Sequence, residues 1–551
     1  DGTTGYEIMT ALEDIFIEPA GHAAIEKRYR GERVSFDFPH VSLDAKRRVL
    51  RGTLNADVRR IAPMLAIVAR RAKWPVRPVA DYARAIVEVV AALGVYRTYI
   101  DAERPEAGVR DRAVLRRAID QVRADEQVDA TALDALDESL LGLWFDADAE
   151  MARARMSFVL RWQQLTGPAA AKGVEDTALY AYAPLASRNE VGGDPGVPLD
   201  GAVDRLAARL RERATLHPRS LNATNTHDTK RSADARARID AISEHDREWA
   251  RAMRRWRRLH RDLRVLPGPT RADDDFIHQS LVGVWPLTSA SLVGTAWLDE
   301  LRERLTAYLQ KAFREAKVST SWTNPDEEYE RTIGEYVARI LDRDASATFL
   351  NEVRTFVALL APQAMWTALG RLVAHLTAPG VPDIYQGDEL WFAALVDPDN
   401  RRPVDWPERE RVAAMVAAVE DRGTTLTQWR DELRAGELKM LLTRDLLALR
   451  RREAALFADG DFERVAASGE HAGRIFAFRR RAEGREVVVV VARRTAALGF
   501  PPAGDAWRDT RLDIRGAWRC AVHGTRVVAG DDGLALRDAF GILPVAVLVA
   551  E

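Results

Sequence analysis

Cysteine is nearly missing from these 551 residues. Cys520 stands alone, which excludes an intramolecular disulfide and suits a reducing compartment, so a cytoplasmic location is expected. No Cys/His array has zinc spacing, and there is neither a Gly-x-x-x-x-Gly-Lys-Ser/Thr phosphate loop nor a Gly-x-Ser-x-Gly nucleophile elbow. No metal site and no bound cofactor are therefore expected. An excess of one charge is also lacking: 81 basic residues face 83 acidic ones, for a formal charge of −2. A nucleic-acid partner held through its phosphates would favour a basic surface, so none is expected. No uninterrupted apolar run approaches the ~20 residues that cross a bilayer, and no membrane contact is expected. Fixed-period repeats and low-complexity tracts are absent. The chain opens on Asp1-Gly2-Thr3-Thr4-Gly5, without a Met or a signal peptide, which predicts a processed or truncated front end.

Lysine is scarce too, with only 8 of the 81 basic residues. Where lysine persists against so strong a preference for arginine, a compact ammonium is called for rather than a planar fork. Lys172, Lys230 and Lys317 are such cases inside motif-like stretches.

What is present is an ordinary globular composition, 47% hydrophobic and 30% charged, long enough for two or more domains. Residues 42–73 carry Val49, Leu50, Leu54, Val58, Ile61 and Leu65 at helical spacing. Gly94 then precedes a strand-like Val95-Tyr96-Arg97-Thr98-Tyr99-Ile100. A helix over 149–162 is expected to give way at Gln163 to a polar turn at Ala171-Lys172-Gly173-Val174-Glu175-Asp176-Thr177. Residues 232–263 form an Arg-rich helical region whose Trp249, Trp256 and His260 are expected to pack rather than bind. Separate helices are predicted over 346–360 and 363–376. Val381 to Trp391 reads as a short buried strand ending in an acidic loop, the place where barrel enzymes put their chemistry. From about 455, strands over 474–478, 486–491 and 543–549 mark a small antiparallel domain.

The densest chemistry lies in Asn225-Thr226-His227-Asp228-Thr229-Lys230-Arg231, ahead of a helix starting near Ser232. Asp228 offers a carboxylate, His227 a ring donor, and Lys230 and Arg231 fixed positive charge, a set able to grip a polyol. The plain alternative is a helix capped by Thr229 or Ser232 with solvated charges. Asp388-Glu389 could be a catalytic pair, although a role in shaping the pocket wall is favoured. Arg238-Ile239-Asp240-Ala241 with His245 mimics an amylase nucleophile motif; its flanks read as helix rather than buried strand, and it is rejected.

Asn225-Thr226-His227-Asp228 resembles the fourth signature region of the α-amylase superfamily, and Gly380-Val381-Pro382-Asp383-Ile384-Tyr385-Gln386-Gly387-Asp388-Glu389 resembles its Gly-x-Pro-x-Ile-Tyr-x-Gly-Asp-Glu segment. Residues 226–232, 171–179, 189–195, 320–322 and 397–406 resemble the maltooligosyl trehalose synthase branch of that superfamily. The resemblance implies an α/β fold, mostly helical in content: the C-terminal part of an amylase-type (β/α)8 barrel with large helical insertions, then a small antiparallel β domain. It divides the chain into a barrel segment (1–41), a helical insertion with a barrel strand near 94–100 (42–155), a barrel segment carrying the His-Asp motif (156–235), a helical subdomain (236–345), a barrel segment (346–454) and the β domain (455–551).

The implied reaction turns the reducing-end α-1,4 bond of a maltooligosaccharide into an α,α-1,1 bond by retaining double displacement. In the superfamily an Asp nucleophile and a Glu acid/base work ~5–5.5 Å apart. Both precede the Gly-Thr-Thr-Gly-Tyr segment, here residues 2–6, so this chain is expected to lack them and to be inactive alone. The resemblance makes Asp228 the transition-state stabiliser and His227 a sugar ligand. Lys172, Lys230, Arg231, Arg401 and Arg402 are further expected contacts, as are Tyr96 and Arg97. Expected partners are the maltooligosaccharide, the missing N-terminal barrel segment and a trehalohydrolase acting in the same pathway. The alternatives are another α-glucan hydrolase or transferase of the superfamily, or a noncatalytic glycan-binding fragment.

Overall fold

The computed structural model describes residues 5–31, 36–125, 127–142, 148–264, 266–287 and 296–551. Gly2 to Thr4 of the Gly-Thr-Thr-Gly-Tyr segment lie outside the described residues. Two compact units emerge: residues 32–182 with 312–325, and residues 1–31, 183–311 and 326–551. The fold is mostly helical with a small antiparallel β domain.

The first unit is helical. Phe38–Arg51, Asn55–Arg71, Val79–Ala92, Val109–Arg123, Ala130–Leu141 and Ala149–Ala170 close on one apolar core that includes Leu50, Ile61, Leu65, Tyr82, Leu115, Leu136, Phe158 and Trp162. The expected strand at 95–100 is not there. Gln163 takes the place of a pairing strand: its Oε1 accepts from Ile100 N (2.8 Å) and Thr98 Oγ (2.9 Å), and its Nε2 donates to Ile100 O (2.8 Å). With the backbone polar groups satisfied by a side chain, the segment stays irregular. The predicted stop at Gln163 fails as well. The helix runs through Pro168 to Ala170 and continues as a π-helix over Ala171–Ala178, with Leu165, Thr166 and Ala169 buried. Packing of these residues outweighs the lost proline N–H.

The second unit is built on the 31-residue helix Ala347–Thr377. The two helices expected here are one, because Leu360, Ala361, Ala364 and Met365 on either side of Pro362 are all buried. By length and composition this helix could cross a membrane. It serves as the unit's core, packed on the helices Ala233–Ala241 and Ala435–Arg452 and on the strand Arg485–Ala492.

Leu221–Ala223 pairs in parallel with Val381–Asp383, and among the described residues these strands pair with no other. Val381 is 43% exposed, so this strand is not the buried one expected from its sequence. The β domain follows its sequence pattern. A six-stranded antiparallel sheet runs in the order Glu463–Arg464, Ile475–Ala482, Arg485–Ala492, Val545–Ala550, Gly516–Cys520, Arg526–Ala529. Its central run Val487 to Val491 is wholly buried, as expected of a strand covered on both faces.

As expected, Trp249, Trp256 and His260 are packing residues. Trp256 stands edge-on to Trp249 and Phe356 and stacks on His278, while His260 meets Phe349 at 4.4 Å between ring centroids. His278 Nδ1 donates to Asp274 O at 2.7 Å, but neither ring nitrogen of His260 has a partner. Burial, helped by His278, holds His260 down to about 3. A base lowered in the folded state gives stability that is present above its ordinary value near 6.5 and is lost as pH falls below it. Glu244 and Asp388, raised to about 7 and about 6 by burial, act in the opposite sense. They are common to any His260 variant and cancel in comparison. His260→Phe is therefore expected to show a shallower fall in urea midpoint between pH 7 and pH 4.5 than the parent, and parallel profiles would mean that the ring is protonated without cost.

Candidate active site

The His-Asp segment leaves the strand Leu221–Ala223 at its carboxyl end and enters the helix Ala233–Ala241. Ser232 caps that helix as expected, its Oγ accepting from Ala235 N. The strand is fixed from two sides. His375 Nε2 donates to Asn222 O at 2.9 Å, and Gly5 packs directly on Leu221 and Asn222. Gly5 has φ of 84°, and a Cβ there would sit 2.6 Å from Leu221 O, so both conformation and contact demand glycine.

Within the loop, Thr229 Oγ donates to Asn225 Oδ1 (2.7 Å) and accepts from Thr226 N (3.2 Å), while Asp228 N donates to Thr226 Oγ (3.1 Å). Tyr6 OH meets the same Thr226 hydroxyl at 3.1 Å. The next two backbone N–H groups, of Lys230 and Arg231, both point at Glu190, reaching Oε1 at 2.6 Å and Oε2 at 3.1 Å. Arg236 completes the frame by donating to Thr224 O and Arg231 O, both at 2.6 Å. Every residue from 222 to 243 is buried except His227 and Asp228. Their side chains are 56% and 61% exposed, with Nε2 and Oδ2 3.3 Å apart. A carboxylate and an imidazole are thus presented side by side on a loop held by its own hydrogen bonds and by Glu190 and Arg236, able to accept and donate toward neighbouring hydroxyls.

A second loop is tied to the first. Asn400 Nδ2 donates to Thr226 O (3.2 Å) and His227 O (3.0 Å), and Tyr385 OH donates to Asn400 O (3.1 Å). Arg401, next in the chain, is half exposed and pairs with Asp397 at 2.6 Å. Arg402 is engaged with Glu300 and Asp399. The structure therefore brings Arg401 to the loop that holds His227 and Asp228, through an asparagine that the sequence reading passed over. Glu190, Arg236 and Glu13 were missed too; Glu190 stands in a Gly-rich segment that had already been noticed, and nothing local marks its target.

Lys230 and Arg231 face the other way. Lys230 is 4% exposed, and Arg231, fully buried, donates to Ala186 O (3.0 Å) and Tyr308 OH (2.8 Å) with its guanidinium over the Phe276 ring. The expected contacts Lys172, Tyr96 and Arg97 belong to the helical unit. There Lys172 pairs with Asp176 at 2.6 Å, Tyr96 OH donates to Glu175, and Arg97 lies over Tyr99.

No family model matches the chain. It is 32% identical, over its whole length, to a Mycobacterium tuberculosis protein described as a maltooligosyl trehalose synthase. The solved maltooligosyltrehalose synthase of Arthrobacter ramosus matches with a TM-score of 0.75 and 31% identity, and a Sulfolobus tokodaii protein described in the same way with 0.71 and 26%. Both structures cover all of this chain. The chain is homologous along its whole length to maltooligosyl trehalose synthases. It spans 63% of the mycobacterial relative, 64% of the Arthrobacter chain and 62% of the Sulfolobus one.

Two carboxylates that drew notice in this maltooligosyl trehalose synthase homologue point inward. Asp388 is buried, with Lys439 Nζ 2.8 Å from its Oδ1 and 2.8 Å from Asp234 Oδ2. Burial raises Asp388 to about 6 against the opposing pull of Lys439. Asp240 of the rejected nucleophile motif lies on a buried helix, as its flanks predicted.

Two outcomes follow from these geometries. Glu190→Ala is expected to raise hydrogen–deuterium exchange across residues 226–232 by about tenfold or more, since bonds to a charged acceptor are worth about 1.5–3 kcal/mol each. Unchanged exchange there would mean that the loop holds itself. Lys439→Met leaves two buried carboxylates without their cation and should lower unfolding free energy by about 3–5 kcal/mol in urea titration. Lys439→Arg should not restore it, because three oxygens, those of Asp234, Asp388 and Leu390, converge on one ammonium.

Proposed function

We propose that this chain provides the transition-state-stabilising face of a maltooligosyl trehalose synthase, set in an amylase-type (β/α)8 barrel with helical insertions. The reaction is an intramolecular transglucosylation of the reducing end of a maltooligosaccharide, from an α-1,4 to an α,α-1,1 linkage. The observation that carries the reading is the exposed His227–Asp228 pair on an otherwise buried loop at the carboxyl end of a strand.

In the retaining scheme a carboxylate displaces the glucosyl oxygen and forms a covalent glycosyl-enzyme while an acid protonates the leaving glucose. The glucose stays bound, and its anomeric hydroxyl attacks in place of water, restoring the acid. Water has to be excluded from the pocket for this outcome. Asp228 acts through its charge on the oxocarbenium-like state and holds sugar hydroxyls, and His227 donates to the same sugar. Arg401 serves as a further sugar contact, a role supported by its place next to Asn400, which fastens its loop to His227. Lys230, Arg231 and Arg402 hold the two loops in shape.

Maltopentaose titrated into the chain is expected to bind, and Asp228→Asn to weaken that binding about tenfold through loss of a charged acceptor. Equal affinity would overturn the assignment. Incubated with maltopentaose, the chain alone is expected to leave the count of reducing ends unchanged. A fall without glucose release would place a full catalytic set in these residues, and a rise would identify a hydrolase.

A further inference from the structure

We propose that Trp322 is a stacking platform for an α-1,4-glucan chain on the helical unit, an inference that rests on the function just given. Trp322 is 50% exposed, a large apolar surface left in water, yet its ring is held in place. Its Nε1 donates to Glu315 Oε1 at 2.9 Å, and the Arg314 guanidinium lies 4.9 Å from the ring centroid. An indole fixed at its edge and backed by a cation keeps one rotamer without being buried, so stacking a flat ligand on it costs little ordering.

The groups linked to Trp322 are those that grip hydroxyls. Lys317 Nζ lies 3.6 Å from Glu315 Oε2 and donates to Thr177 Oγ at 2.8 Å. Thr177 Oγ in turn reaches Lys172 O at 2.7 Å within the π-helix Ala171–Ala178, where Lys172 pairs with Asp176. Glu315 and Asp176 both act on the two lysines. π-Helical turns are rare and frequent at functional sites. Lys317 also holds a left-handed conformation (φ 54°) unusual for a residue with a side chain, and Arg48 fastens its carbonyl at 2.7 Å. These two unusual backbone features converge on one surface cluster of two ammonium groups, two carboxylates and an exposed ring.

The chemistry selects the ligand. Each lysine of the cluster has a carboxylate beside it, which disfavours a polyanion, and charged donors and acceptors around a flat apolar ring match a pyranose with its hydroxylated rim and apolar face. Tyr96, whose hydroxyl donates to Glu175 on the same π-helix, adds a second exposed ring to this unit.

Hydroxyl-radical footprinting reads the platform directly. Maltoheptaose is expected to protect Trp322 from oxidation in the parent chain, and in Asp228→Asn once the ligand is raised to saturation. Trp322→Ala should weaken maltoheptaose binding about tenfold, and Trp322→Tyr should recover most of that loss, as expected of an aromatic contact. Since the side chain is exposed, the thermal midpoint of both variants should stay at the parent value. Unprotected Trp322, or equal affinity of the alanine variant, while Asp228→Asn still weakens binding, would overturn the platform and leave the proposed function standing. If the parent chain binds no maltoheptaose, both proposals fall.

Discussion

Two consecutive backbone N–H groups ending on one buried carboxylate set the geometry of the candidate site. Glu190 receives Lys230 N and Arg231 N, and this fixes where the chain turns from strand to helix. A carboxylate so deep needs compensation, because an isolated buried ion is expelled or neutralised. Arg236 supplies it at 3.5 Å and also bonds Glu13, which in turn bonds Arg371. Asp240, the fifth member, lies 3.1 Å from Arg371 and is raised well above its ordinary value by burial and by Glu13. Glu13 stays ionised because Arg371 and Arg236 outweigh its burial. Two guanidiniums, those of Arg236 and Arg371, thus face the carboxyl groups of Glu190, Glu13 and Asp240.

Because these groups pair with one another, a charged frame lies under an exposed pair without claiming it. The guanidinium of Arg236 spends its donors on Thr224 O, Arg231 O and Glu13, leaving Asp228 to solvent. Arginine suits these positions because a planar fork reaches several carbonyls at once. Lysine appears where one point must face several oxygens, as at Lys439. Scarcity in the sequence alone does not find such a lysine. It picked out Lys172, Lys230 and Lys317, of which two sit in the surface cluster beside Trp322, and it passed over Lys439, whose three acceptors come from distant parts of the chain.

Legibility followed the range of the interactions. The cap at Ser232, the polar loop before it, the packing of Trp256 and His260, the helical setting of Asp240 and the strands of the β domain depend on neighbours in sequence or on simple periodicity, and all were readable. The strand expected at 95–100 failed because its β-branched and aromatic pattern is real but its backbone partner is a glutamine 63 residues away. Helix ends expected at Gln163 and Leu360 failed because a proline's local penalty is smaller than the burial of the residues around it. The outward set of the site, His227 and Asp228, was legible from motif; the inward turn of Arg231 was not, since its partners Ala186 and Tyr308 lie 45 and 77 residues away.

The same reasoning explains why so few residues of the motif can touch a ligand. In a seven-residue stretch with four uncharged hydrogen-bonding side chains and three charged ones, sequence alone gives every group an equal claim on a ligand. Folding divides them by the cost of burial. Threonine and asparagine side chains close the loop on itself, and the arginine is drawn inward because aromatic rings, a carbonyl and a phenol can compensate it. A histidine and an aspartate side by side, with no buried partner offered by the frame, stay outside at the least cost. A loop made this way gets its orientation from a buried carboxylate, so the residue whose loss would most disorganise it is Glu190 rather than either member of the exposed pair.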